Sequence, residues 1–409
     1  MRRAMRILHT ADWQLGLRAA QAGERAAVVR AERLAAVARL VDLAHELAVD
    51  LVLVAGDVFD RQEIDEPVLE AAIDQLERLA PIPVVLLPGN HDPLEVGGVW
   101  DRRAFSRTGA HVTIAREARE LEVLPGLAIY PCPLRQRIST QDPTAWIPPP
   151  AEGDDRLRVG LAHGALDSLP KKGNFPIALD RAEACGLDYL ALGDWHGALV
   201  RGRTAYPGTP EQASYGEKSP GYVLVVELEA KEGSAAGPPR RRPLPRIEQH
   251  RVGRFVWHTL QTEVRDRTDL VRLEAEIAEL ARPEDLLLRL QIATPAAATA
   301  PASLADPSTV PHARSRAVPH APLRPTLDAL EERLRARLFV LDWTLDEQGV
   351  PDDGVPDGLL GEIDDVLAAM LDGAPPPDGL EDLAEVAPAV LKEARARLRT
   401  LVATAEAGS

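Results

Sequence analysis

Cysteine is almost missing from this chain: among 409 residues only Cys132 and Cys185 occur, in no spacing motif. That rules out a disulfide framework and makes a reducing cytoplasm the natural setting. Aromatic residues are sparse at 4%, although a hydrophobic content of 45% still supports globular cores. No apolar run approaches the roughly 20 residues needed to span a bilayer, so no membrane segment is expected. Met1-Arg2-Arg3 is basic, but too few apolar residues follow for a signal peptide, and Met5 is an equally good start. A surplus of positive charge is lacking as well, the formal net charge being −16. Proteins that bind nucleic acid unaided carry a basic footprint. Any role on DNA therefore rests on a local patch, on metals or on a partner. An ATPase phosphate loop is absent too, because Gly216-Glu217-Lys218-Ser219 has no glycine directly before its lysine.

What the chain does have is five short apolar runs, each ending in metal-ligand residues. Ile7-Leu8 leads through His9-Thr10 to Ala11-Asp12-Trp13-Gln14. Leu51–Val54 leads to Gly56-Asp57-Val58-Phe59-Asp60, and Val84–Leu87 to Gly89-Asn90-His91-Asp92. Val159–Ala162 leads to His163-Gly164, and Tyr189–Leu192 to Gly193-Asp194-Trp195-His196. A parallel strand buried on both faces reads as a continuous apolar run, and its carboxyl end opens onto a crevice. Five such strands side by side would gather these loops around one pocket.

The length predicts two or three domains. Residues 1–250 alternate strands with helical patterns such as Ala19–Ala48 and Glu66–Leu79, which predicts an α/β domain with a partly parallel sheet. Residues 231–246 lack apolar periodicity and read as a loop or linker. A second, small α/β unit spans 251–345, with its pattern beginning at Ile247. A Pro/Ala-rich stretch at 294–325 interrupts it and reads as a disordered insertion. The tail, 346–409, holds two helical stretches, Leu359–Leu371 and Leu380–Val402. Their apolar faces suit docking on a partner as well as packing on the small unit.

Two divalent ions about 3.5–4 Å apart clamp the attacking and leaving oxygens of a phosphoryl transfer, and a water between them ionises near neutral pH. Such a pair needs a bridging carboxylate, for which Asp57 is the best candidate. Asp12, Asn90, His163, Asp194 and His196 are the residue types that complete two shells of oxygen and nitrogen donors. His91 could face the phosphate without binding metal and protonate the leaving oxygen, with Asp92 orienting its ring. Lys171 and Lys172 are candidate phosphate contacts, and a solvated loop is an equal reading. Trp13 and Trp195 are expected to pack beneath the loops, and His9 to be a core or supporting histidine.

In this order the motifs resemble those of calcineurin-like metallophosphoesterases. Leu8-His9-Thr10-Ala11-Asp12 and Tyr206-Pro207-Gly208-Thr209-Pro210-Glu211 are similar to SbcD-type DNA repair exonucleases within that superfamily. The resemblance covers residues 1–225 well, the capping unit loosely and the tail hardly at all. It implies a four-layer αββα sandwich with a small α/β capping domain and a helical tail. It places Asp12, Gln14, Asp57 and His196 around one ion and Asp57, Asn90, His163 and Asp194 around the other, with His91 as the catalytic histidine. It implies Mn²⁺-dependent cleavage of DNA beside an SMC-like ATPase of the SbcC type, in the cytoplasm with the nucleoid, and leaves a homodimer open. Gln14 and Asp194 depart from the family, which usually has His at both. The centre becomes more oxygen-rich, favouring Mn²⁺ or Mg²⁺ over Zn²⁺. A phosphoesterase for small substrates and a non-catalytic DNA-end scaffold remain alternatives.

Overall fold

The computed structural model describes residues 4–167, 174–229, 243–295 and 323–348, with a few helical positions between 366 and 395. Lys171, Lys172 and nearly all of the 294–325 insertion lie outside the described residues. So do most of the 231–246 linker and, those few positions aside, the expected tail helices.

Along the chain run β1 (Met5–Thr10), β2 (Leu51–Val54), β3 (Val84–Leu86), β4 (Val112–Ile114), β5 (Leu121–Leu124) and β6 (Leu127–Pro131). Then come β7 (Leu157–His163), β8 (Tyr189–Gly193), β9 (Leu199–Arg201), β10 (Thr204–Tyr206), β11 (Tyr222–Leu228) and β12 (Arg246–Arg251). β13 (Val256–Glu263), β14 (Leu286–Pro295) and β15 (Val340–Gln348) follow. The helices are α1 (Ala26–Glu46), α2 (Glu66–Arg78), α3 (Arg181–Ala184), α4 (Arg267–Leu280) and α5 (Arg324–Arg337).

Two six-stranded sheets result, ordered β12-β11-β1-β2-β3-β4 and β5-β6-β7-β8-β10-β9. Side-chain alternation explains why they face each other. Ile7, Leu51, Leu53 and Val85 of the first sheet pack with Leu127, Ile129, Val159, Leu161 and Tyr189 of the second in one buried cluster. The intervening residues Leu8, Val52 and Val54 point the other way, against Val37, Leu40 and Val41 of α1 and Leu69, Ile73 and Leu76 of α2. In α2 the apolar residues recur at i, i+4 and i+7, one face of a helix. The far side of the second sheet, including Ala162, Leu190 and Leu192, is covered by Ile147, Ala182 and Cys185. This is the expected four-layer α/β sandwich, its fourth layer thin because α3 has only four residues.

β13, β14 and β15 form a separate three-stranded sheet. β13 and β14 are parallel, joined through α4, whose N-cap Asp266 accepts hydrogen bonds from the Thr268 and Asp269 amides. Phe255, Trp257 and Leu287 seat this unit on Ala19, Ala22 and Val29.

Two expectations need correcting. The helical pattern from Ala19 is broken, since a 3-10 segment, Ala20–Arg25, precedes α1 and Gly23 within it is non-helical (φ 53°, ψ −128°). The residues from Ile247 do not open the new unit, because β12 pairs antiparallel with β11 along Tyr222–Glu227. Only Ile247 of that edge strand packs toward the core between the sheets, so its sequence carried little strand signal. Among the described residues no helix is long and apolar enough to cross a membrane.

Candidate metal centre

β1, β2, β3, β7 and β8 run parallel within their sheets, so their carboxyl-end loops gather at one edge of the sandwich. Backbone hydrogen bonds lock these loops together. Asp12 N donates to Gly56 O at 3.0 Å and Gln14 N to Asp57 O at 2.9 Å. The turns are sharp: Asp12, Gln14, Asp57 and Asp194 all have positive φ, at 53°, 45°, 54° and 95°. Such backbone is costly for residues other than glycine, of order 1–3 kcal/mol each, and clusters at functional sites. Glycines make room for it. A Cβ on Gly89 would stand 2.1 Å from Asp57 Oδ1, and one on Gly56 would stand 2.2 Å from His163 Nδ1.

One oxygen each from Asp12 and Asp57 and one nitrogen of His163 lie within 4.8 Å of one another, and all three residues are buried. His163 shows why this set fits a cation. Its Nδ1 donates to the Ala55 carbonyl at 2.8 Å, so the proton of the neutral ring sits on Nδ1 and Nε2 bears a lone pair. That lone pair faces Asn90 Oδ1 at 2.8 Å, Asp57 Oδ2 at 3.4 Å and Asp194 Oδ1 at 3.8 Å. Three oxygens converge on Nε2, an arrangement satisfied by a cation, by a second proton on the ring or, at Asn90, by the amide turned to donate. Burial opposes that second proton, but Asp57, Asp12 and Asp194 outweigh it and hold the His163 pKa well above the ordinary value. Burial also pushes the Asp12 carboxyl up to about 6, against the pull of His163 and His196. Surplus buried negative charge of this kind is what divalent cations neutralise.

The other expected ligands join the same cluster. Asp194 N donates to both oxygens of Asp12 at 3.2 Å. Gln14 Nε2 lies 3.0 Å from His196 Nε2. His196 Nδ1 donates to Glu217 Oε1 at 2.9 Å, which leaves Nε2 as its acceptor nitrogen. Gln14 thus satisfies that nitrogen with its amide NH₂. Rotating the amide by half a turn would present the oxygen instead and leave both atoms free to ligate.

His91 sits beside this cluster and outside it. Its backbone N donates to Asp57 Oδ1 at 2.9 Å, and its Nδ1 donates to Asp60 O at 2.8 Å. Asp60 O therefore orients the His91 ring. The expectation that Asp92 does so is corrected: Asp92 accepts from Phe59 N at 3.0 Å and Gly89 N at 2.7 Å. Asp92 is fully buried, and burial together with nearby Asp57 raises its pKa well above the carboxylate range. Its part is to pin the β2 and β3 loops together.

Trp13 is buried, with Nε1 donating to Thr10 Oγ1 at 3.0 Å, and packs beneath the loops as expected. Trp195 is half-buried against the outer cluster of the second sheet. His9 is a core residue, its Nδ1 2.7 Å from the Tyr189 hydroxyl across the sandwich. Glu217 was missed as a functional residue. Its only signal lay inside the Gly-Glu-Lys-Ser stretch, where the carboxylate, not the lysine, reaches the site. A carboxylate behind a histidine fixes the tautomer and raises the basicity of the ligating nitrogen.

Fold and donors together fit a site for divalent cations. The family model for calcineurin-like phosphoesterase matches residues 5–198, just under half of the chain. The match supports the metallophosphoesterase superfamily for this part of the chain, and with it metal-dependent phosphoester hydrolysis.

Proposed function

We propose that this chain is a DNA nuclease of the SbcD type, a phosphodiesterase working in double-strand-break repair beside an SMC-like ATPase. The observation that carries the catalytic part is the convergence of Asn90, Asp57 and Asp194 on Nε2 of His163. Asp57 would be the carboxylate shared by both cations; Asp12, Gln14 and His196 would hold one, and Asn90, His163 and Asp194 the other. When bound, two divalent ions supply Lewis acidity at the phosphoryl oxygens and a nucleophile near neutral pH. Oxygen donors predominate in both sets, favouring Mn²⁺, with Mg²⁺ second, over Zn²⁺.

The chain's own residues do the rest. Glu217 keeps the His196 proton on Nδ1. Asp60 O does the same for His91, so a second proton on His91 would sit on Nε2, the nitrogen able to pass it to a leaving oxygen. DNA as substrate rests on the resemblance of the 8–12 and 206–211 motifs and on the three-stranded unit after residue 251. The charge of −16 fits a subunit that takes much of its DNA affinity from its partner, with Lys171 and Lys172 as phosphate contacts. The site of action would be the cytoplasm, with the nucleoid.

The test is release of nucleotides from an end-labelled linear duplex with Mn²⁺, Mg²⁺ or Zn²⁺, beside a His91→Ala control. The expected result is release by the native chain with Mn²⁺, little with Zn²⁺ and none from the variant. Hydrolysis of small phosphoesters without action on DNA would replace the nuclease with a small-substrate enzyme. DNA binding with no hydrolysis, even with the ATPase present, would leave an end-binding scaffold.

A further inference from the structure

Arg33 lies in the N-terminal half of α1 and is 2% exposed. Its guanidinium is spent on main-chain carbonyls: Nη2 donates to Trp13 O at 2.7 Å and Nη1 to Glu211 O at 2.9 Å. Nη2 also reaches Thr209 Oγ1 at 3.4 Å. The Thr209 hydroxyl in turn lies 3.0 Å from Asp12 O and 2.9 Å from Glu211 O, and Thr209 N donates to His196 O at 3.2 Å. Asp12, Gln14 and His196, the three residues assigned to one cation besides Asp57, are thus braced from behind by one node.

The bracing has something to resist. Asp12 and Gln14 both sit in left-handed backbone, at φ 53° and 45°, and such residues persist only where their surroundings over-determine them. Burying a guanidinium is expensive without partners. Burial lowers the Arg33 pKa, and the nearby charges of Glu217, Glu211, Asp60 and Asp12 offset this only in part. Three acceptors hold the two Nη atoms, while Nε has no partner among the described residues.

The same node reaches the three-stranded unit. The Glu211 carboxylate accepts from the Arg254 and Phe255 amides, each at 2.8 Å. The side-chain amide of neighbouring Gln212 pairs with the Trp257 main chain, Oε1 accepting from Trp257 N at 2.9 Å and Nε2 donating to Trp257 O at 3.0 Å. Arg254 and Phe255 lead into β13, and Trp257 lies within it. A hydrogen-bonded path therefore runs from the first strand of the small unit, through Glu211 and Arg33, to the Asp12–Gln14 loop.

We propose that Arg33 is the positioning residue for the Asp12–Gln14 loop, and that Glu211 makes this hold depend on how the three-stranded unit is seated. The proposal rests on the metal-centre reading above. Any partner that shifts the small unit would then loosen one cation site and leave the Asn90–His163 site in place.

Charge and position make opposite demands here. Removing a buried cation beside a cation site tightens metal binding by Coulomb's law, whereas losing the brace weakens it. The experiment titrates the metal-free full chain with Mn²⁺, reading free ion by electron paramagnetic resonance, for the native protein, Arg33→Lys, Arg33→Met and Glu211→Gln. Amide hydrogen exchange of residues 12–17 and 254–257 is followed without metal. Lysine keeps the charge but cannot span both carbonyls, so both Arg33 variants should weaken one Mn²⁺ by about 10–100-fold, the usual cost of losing an outer partner. The second Mn²⁺ should be unmoved, and residues 12–17 should lose protection. Glu211→Gln should lose protection at 254–257 and weaken the same ion.

Native affinity in Arg33→Lys, or tighter binding in Arg33→Met, would overturn the positioning role. Unchanged binding in Glu211→Gln, with 254–257 deprotected, would overturn the link to the small unit. Should the native chain bind no Mn²⁺, the metal-centre reading falls, while exchange at 12–17 still decides whether Arg33 holds the loop. A Tm loss in Arg33→Met with full loop protection would mark a residue of the fold only.

Discussion

His9 makes the chain sensitive to acid in a way that one substitution should remove. It lies on β1, wholly buried between the sheets, its Nδ1 2.7 Å from the Tyr189 hydroxyl and the ring edge-on to Tyr189. Burial drives its pKa from 6.5 down to about 3, only partly offset by the Leu192 carbonyl. The unfolded chain therefore takes up a proton near pH 6.5 that the folded chain refuses until about pH 3. The unfolded state binds more protons in that window, so stability rises with pH across it. The contribution is fully present above about pH 6.5 and is lost as pH falls. At 1.36 kcal/mol for each pKa unit, the loss by pH 5 is about 2 kcal/mol. His9→Asn places an amide where Nδ1 stood and cannot titrate. It will cost stability at every pH through lost packing, so the comparison is of slopes. Equilibrium urea unfolding at pH 7 and pH 5, without metal, should show the native chain losing about 2 kcal/mol more than His9→Asn between the two. Parallel losses would refute the neutral buried histidine. The carboxylates of the metal centre titrate in both proteins and cancel.

Gly89→Ala should lose at least about 100-fold in Mn²⁺ affinity, since its Cβ would meet Asp57 Oδ1 at 2.1 Å and Asp57 N at 2.5 Å; titration with chelator competition reads this. Gln14→His exchanges a neutral amide for imidazole and should tighten Zn²⁺ by about tenfold relative to Mn²⁺, measured by competition between the ions. If an SMC-like ATPase partners the chain as proposed, removal of residues 349–409, which begin just after β15, should abolish co-purification with it and leave Mn²⁺ binding intact; retained co-purification would refute docking through the tail.

The clustering of the candidate donors was legible because each lies within a few residues of the end of an apolar run, and runs such as Leu51–Val54 are buried on both faces. Sequence order alone then places Asp57, Asn90 and His163 at one edge. What supports the ligands was not legible. Asp92 follows His91 in sequence, yet its partner Phe59 N lies 33 residues away, and only the paired loops reveal it. Arg33 looks like one more charge on a helix that also carries Arg30, Glu32 and Arg39. Its burial shows only in the fold, where Nη2 reaches Trp13 O in the loop after β1. β12 was misplaced because five of its six residues read as polar, as an edge strand facing solvent on one side allows.

The central claim is that these loops form one binuclear centre sharing Asp57. Electron paramagnetic resonance of the full chain loaded with Mn²⁺, beside Asp57→Asn, tests it most directly. The account predicts two Mn²⁺ per chain with the exchange-coupled spectrum of ions about 3.5–4 Å apart, reduced to an uncoupled signal in the variant. A native chain that binds a single Mn²⁺, or two without coupling, would contradict it.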